Sequence, residues 1–239
     1  MNQAPCLQSL VDLGVQLHVW DRRGQLDLVA KLDFGRDVAP LVTFLTDIGV
    51  DIAAVGKVLT FAPELVEERP EDLRARVAYL ASKNFSRDQI ASIVTQAPRW
   101  LLFSVRGIDA RLGFFQKTFN FLGPEVRQLA SFKPNLIIWS GTPAKVKVNL
   151  FSYNEEMGFT PEELKAMVLK CPDILKPWRG KENFLAQFEL LHNEAKIPHE
   201  LLAQFPGCFT AQPVNTKYVN NVNITTFFQP LQLVTTTFI

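Results

Sequence analysis

The sequence predicts an all-α solenoid of helical repeats, and three observations carry that prediction. A proline recurs at Pro63, Pro98, Pro134, Pro172 and Pro206, by subtraction 35, 36, 38 and 34 residues apart. A period in that range marks a stacked array of small supersecondary units. Apolar residues stand at fixed offsets before each proline, and a short apolar phrase follows it, as in Pro98-Arg99-Trp100-Leu101 and Pro172-Asp173-Ile174-Leu175.

The offsets define the helix that ends at each proline. Positions −8, −5, −4 and −1 hold Val55, Val58, Leu59 and Ala62, then Ile90, Ile93, Val94 and Ala97. They hold Val126, Leu129, Ala130 and Lys133 in the third repeat, and Leu164, Met167, Val168 and Cys171 in the fourth. This is the i, i+3, i+4, i+7 stripe of an amphipathic helix. The fifth repeat keeps Leu201, Leu202 and Phe205.

Helix starts are equally legible. Ser86-Arg87-Asp88-Gln89 and Thr160-Pro161-Glu162-Glu163 read as capping boxes. Pro124, Pro161 and Pro198 suit the first helical position, where the missing N–H costs nothing. The recurrent proline stops the helix, because its ring disfavours α geometry in the residue before it. One 3₁₀ turn is expected after it.

Another helix precedes each of these. Pro70 opens one, with Leu73, Val77 and Leu80 on a single face. Gly49-Val50, Asn84-Phe85 and Gly158-Phe159 mark the ends of such helices, since Gly and Asn tolerate the left-handed backbone just past a helix. Gly14-Val15 repeats the signal 35 residues before Gly49-Val50. Residues 1–34 therefore read as a degenerate N-terminal capping repeat, and residues 35–209 as the repeats proper.

After Phe209 the pattern stops. Residues 210–239 carry one charge, Lys217, and are rich in Thr, Val, Asn and Phe. This tail is expected to be disordered or loosely packed, with a β-prone, uncharged end from Thr225 to Ile239.

Composition narrows the function. The chain has 239 residues, 47% of them hydrophobic, and no run of 18 apolar residues. Cys6, Cys171 and Cys208 are far apart and imply neither a disulfide framework nor a zinc site; Cys171 is expected to be a buried thiol. His18, His192 and His199 lack metal-ligand spacing, and no phosphate loop or nucleophile elbow is present, so neither a cofactor nor catalysis is expected. Residues 1–30 have neither a signal peptide's apolar core nor an acid-poor transit helix. The net charge of +1 is unevenly placed: −3 over residues 1–97, +6 over 98–181 and −2 over 182–239.

The proline-closed helix pairs resemble the repeats of the mitochondrial transcription termination factor (mTERF) family, over roughly residues 8–209. The stretches from Leu73 to Ser86 and from Arg111 to Lys117 resemble its third animal subtype. The resemblance implies a left-handed superhelix curved into a half-ring with a basic concave path. It implies action in mitochondrial gene expression by binding DNA or RNA, and location in the mitochondrial matrix. It also implies further helices where this chain has its tail.

Charge in register with the repeat selects candidate phosphate contacts. Thirteen residues past three successive prolines stand Arg76, Arg111 and Lys147; eleven past two of them stand Arg74 and Lys145. Arg99, Arg106, Arg179 and Lys181 add charge near the turns. Such a stripe tracks a nucleic-acid backbone by charge neutralisation without reading bases. The first reading is thus a non-catalytic regulator bound to double-stranded DNA. Two others fit the same array: ribosomal RNA binding in mitochondrial ribosome assembly, and a protein-interaction scaffold. Glu67, Glu68, Glu71 and Asp72 are near enough to pair with Arg69, Arg74 and Arg76. Trp100, Trp139, Trp178 and Phe103, in the closing phrases, read as packing between repeats rather than as base-stacking residues.

Overall fold

The computed structural model describes residues 4–25, 27, 32–139, 142–176 and 180–210. From residue 211 the tail lies outside the described residues, as do Trp178 and Arg179. The described residues contain helices and turns and no strand, an all-α helical-repeat fold. No helix among them is long and apolar enough to cross a membrane. The chain divides into two compact units, residues 1–145 and 146–239.

The recurring proline builds the same joint five times. The residue before it leaves the helix at φ −140°, ψ 68° in Ala62, −142°, 67° in Ala97 and −135°, 63° in Lys133. Cys171 (−140°, 78°) and Phe205 (−124°, 60°) repeat it. This is the non-helical backbone that a following proline ring demands. Each of these residues still donates its N–H four residues back, to Val58, Ile93, Leu129, Met167 and Leu201. Four closing phrases then make a 3₁₀ turn; Pro134–Ile138 makes a short α turn instead.

In the first unit, α1 (Ala4–Asp12) and α2 (Leu17–Arg22) precede α3 (Ala39–Asp47) and α4 (Ile52–Phe61). Then come α5 (Pro70–Ser82), α6 (Arg87–Gln96), α7 (Val105–Phe119), α8 (Gly123–Phe132) and α9 (Pro134–Ile138). The stripe residues Val55, Val58, Leu59, Ile93, Val94, Leu129 and Ala130 are all buried. They form the seam along which α4, α6 and α8 pack, α6 touching both neighbours. Leu73 and Leu80 of α5 are buried beside it, with Val77 half-buried. Trp100 is 1% exposed, so it is a packing residue.

Helix ends follow the sequence signals. Gly14, Gly49, Asn84 and Gly158 have positive φ. The next residue's N–H reaches back five residues at Val15, Val50 and Phe85, which satisfies a helix-end carbonyl. Asn120-Phe121 ends α7 in the same way. Both capping boxes form, with Ser86 accepting from Gln89 N–H and Thr160 from Glu163 N–H.

The N-terminal helices lock onto α4 by close approach. A Cβ at Gly56 would lie 2.1 Å from the Leu13 carbonyl oxygen, so only glycine fits there. Thr60, buried one turn on, accepts the Gln16 N–H at 2.9 Å and donates to the Gly56 carbonyl.

Helix α10 (Thr142–Phe151) spans the division between the units, and the second unit continues with α11 (Pro161–Lys170), α12 (Gly180–Phe188) and α13 (His199–Gln204). Its core gathers Tyr153, Phe159, Phe184, Phe188 and Phe209, with Tyr153 edge-on to Phe159 and Phe209. Edge-to-face contacts of this kind add to the burial of the rings. Three features depart from expectation. Wide π-type turns extend α10 over Ser152–Glu156 and α12 over Glu189–Glu194. Pro198 stands one residue before α13, as its cap. Cys171 is half-buried rather than enclosed.

Candidate nucleic-acid interface

The residue thirteen past the proline has a defined place in the first two complete repeats. It lies midway along the first helix, between the closing phrase behind it and the one ahead. Arg76 pairs with Glu68 at 2.6 Å and donates to the Leu101 carbonyl. Arg111 lies over the Phe103 ring at 4.5 Å and makes long bonds to the Ile137 and Trp139 carbonyls, 3.5 and 3.4 Å. Glu68 and Phe103 each stand five past their proline, and Leu101 and Ile137 each three past theirs. The guanidinium thus satisfies carbonyls left free at the end of a short turn.

The third repeat does not follow the same count. There the equivalent carbonyl, Leu175, accepts from buried Asn149 at 3.1 Å. Asn149 stands fifteen past Pro134, and the extra residues enter before α10. Lys147 is two residues earlier, at the position held by Arg74 and Asp109 in the preceding repeats. The counted ladder of Arg76, Arg111 and Lys147 is therefore two kinds of position. The helix-start prolines carried the correct signal: Arg76 is six past Pro70, and Asn149 six past Pro143.

Charge available to a ligand is consequently redistributed. Arg76, with 12% of its side chain exposed, is committed to Glu68 and Leu101. Arg111 is half-buried over Phe103 and forms no ion pair among the described residues. Arg74, Arg99, Arg106 and Lys147 are exposed and form no ion pair among the described residues. Lys145 is exposed and lies over the Trp139 ring at 4.6 Å. Arg179 and the side chain of Lys181 lie outside the described residues. Asp109 holds in its repeat the position that Arg74 holds in the one before, and there it accepts from Tyr79 and pairs with Lys83 at 3.3 Å. Desolvation, then the Asp109 carboxylate, push the Tyr79 phenol up. The same bond, with help from Lys83, lowers the Asp109 carboxyl.

Three further cations escaped the repeat count. Lys83, Lys117 and Arg127 surround a groove beside α5 and α7, and none shares the offsets of the ladder. Among the described residues no group of three or more His, Cys, Asp and Glu is placed to hold a metal ion.

The proline-closed repeats are matched by the mTERF family model over residues 20–212. The chain belongs to the mTERF family. It is 39% identical over 207 residues to the mitochondrial transcription termination factor 3 of Drosophila melanogaster, covering 86% of this chain and 57% of the fly protein. It is 36% identical over 218 residues to the Rattus norvegicus protein of the same name, covering 91% and 52%. The Mus musculus protein of that name is 39% identical over 130 residues, covering 54% and 32%. The chain spans about half the length of the fly and rat relatives. Like these mTERF relatives, it is mitochondrial.

Proposed function

We propose that this mTERF protein is a non-catalytic regulator of mitochondrial transcription that holds double-stranded DNA by its phosphate backbone. The observation that carries the reading is the set of exposed cations in the central repeats that have no carboxylate partner among the described residues: Arg74, Arg99, Arg106 and Lys147. Arg111 and Lys145 add charges held over aromatic rings. All of these but Arg74 fall in the segment 98–181, with its net charge of +6. Arginine's planar fork matches phosphate oxygens, and cations without local partners gain most from neutralising phosphates. The names of the relatives, transcription termination factors, favour transcription as the process.

The test is fluorescence anisotropy against a DNA duplex, an RNA duplex and single-stranded RNA, each over a range of salt. DNA affinity should fall linearly with salt on a log–log plot. The triple variant Arg74→Ala, Arg99→Ala, Arg106→Ala should flatten that slope by about 2.7, three lost phosphate contacts at ~0.9 each. An unchanged slope would remove these residues from the interface. Preference for the RNA duplex would move the protein to ribosomal RNA, since A-form helices present 2′-hydroxyls and a different groove.

A further inference from the structure

The groove between α5 and α7 lies outside the ladder. It has a volume of about 710 Å³ and is bounded by α5, α7 and the start of α8. Its floor is apolar, with Phe85, Leu112 and Val126 buried along it and Phe114 half-buried beside them. Lys83, Lys117 and Arg127 stand around it. Lys117 is exposed with no partner among the described residues, and Arg127 donates to the Lys83 carbonyl at 3.3 Å. Asp109 is the groove's one carboxylate among its lining residues.

Gly113 supplies a second, independent observation. It sits inside α7 and lines the groove, and a Cβ built on it meets nothing within 4 Å. Its backbone has no positive φ. Neither conformation nor packing among the described residues requires glycine there, yet glycine weakens a helix interior relative to alanine. The bare backbone instead leaves room for something entering the groove.

We propose that this groove docks an acidic segment of a partner protein, one with carboxylates beside an apolar face. Lys117 and Arg127 beside an apolar floor complement such a segment in both charge and surface, while Lys83 is paired with Asp109. A nucleic-acid strand suits the groove less well, because the apolar floor offers its phosphates no donor. The Asp109–Tyr79 bond holds that carboxylate at the rim, so the segment's own carboxylates are directed to Lys117 and Arg127 and away from Asp109, which fixes its register.

The test is display selection of random 12-residue peptides on the full chain. Enriched peptides should carry at least two Asp or Glu residues with apolar residues at helical spacing. They should bind at least tenfold more weakly to Gly113→Leu, which fills the groove, and to Lys117→Glu, which inverts an exposed charge. Both variants should keep the parent's helical circular dichroism and its affinity for duplex DNA. No enrichment, enrichment of basic or uncharged peptides, or equal binding by the variants would overturn the proposal. So would loss of duplex binding on Gly113→Leu, which would assign the groove to nucleic acid. An unchanged peptide result alongside a chain that binds no nucleic acid would leave this proposal standing and remove the preceding one.

Discussion

Arg111 and Asn149 occupy the same position in successive repeats and reach the same carbonyl, three residues past the closing proline. The side chains share only a donor N–H of suitable length. That equivalence separates side chains that tie a repeat together from cations left exposed at its surface.

Arg76→Ala should cost stability rather than salt dependence. It removes a charge-assisted bond to Glu68 and the donor to Leu101, two partners only partly exposed. A loss of about 2 kcal/mol is expected. Urea unfolding should show a lower midpoint with an unchanged slope. Lysine at this position should recover little, because one ammonium lacks the fork that spans both partners. A variant as stable as the parent would show that the tie is idle.

Asn149→Leu should destabilise where Lys147→Leu does not. Asn149 is 5% exposed, and its loss leaves the Leu175 carbonyl without that donor, at a cost of about 1–3 kcal/mol. Lys147 is exposed, and its replacement should stay within about 0.5 kcal/mol. Thermal melts of the two variants would settle the register; the reverse order would restore the count of thirteen.

Two glycines should respond oppositely to alanine. Gly56→Ala forces a methyl against the Leu13 carbonyl and the Gly14 backbone, and should cost about 1–3 kcal/mol. Gly113→Ala meets open space and should stabilise α7 by up to about 1 kcal/mol. Denaturant titration of both distinguishes a glycine required by packing from one that is not.

The thiols should react slowly until the chain unfolds. Burial pushes Cys208 up to about 12 and raises Cys6 and Cys171. A raised thiol pKa means the folded state favours the protonated form. The stability this contributes is fully present below the ordinary value of 9.0 and is lost as pH rises towards 12. Iodoacetamide at pH 8 should label Cys208 far more slowly in the folded protein than in urea. Equal rates would show the site to be open.

The fold was legible because its signals are local and repeated. The stripe ending at Ala62 recurs at Ala97, and the bond from each to the residue four back needs nothing distant. The third closing phrase was not legible: Pro134–Ile138 adopts an α turn that nothing in Pro134-Asn135-Leu136 distinguishes from its neighbours. The wide turns at Ser152–Glu156 and Glu189–Glu194 likewise have no local sequence mark. Site residues were harder still, since charge type does not reveal commitment. Arg74 and Arg76 look alike in sequence, but only Arg76 points where Glu68 and the Leu101 carbonyl converge. The groove cations were invisible to repeat counting because Lys83, Lys117 and Arg127 come from three different places in their units.

The five pre-proline joints share one backbone geometry although the intervals between them run from 34 to 38 residues. Length variation is therefore absorbed between joints and not at them. Each joint acts as a splice point: a segment running from one closing proline to the next is an exchangeable cassette. A gene duplication or deletion cut at these seams would preserve every helix ending, whatever the length of the segment between them.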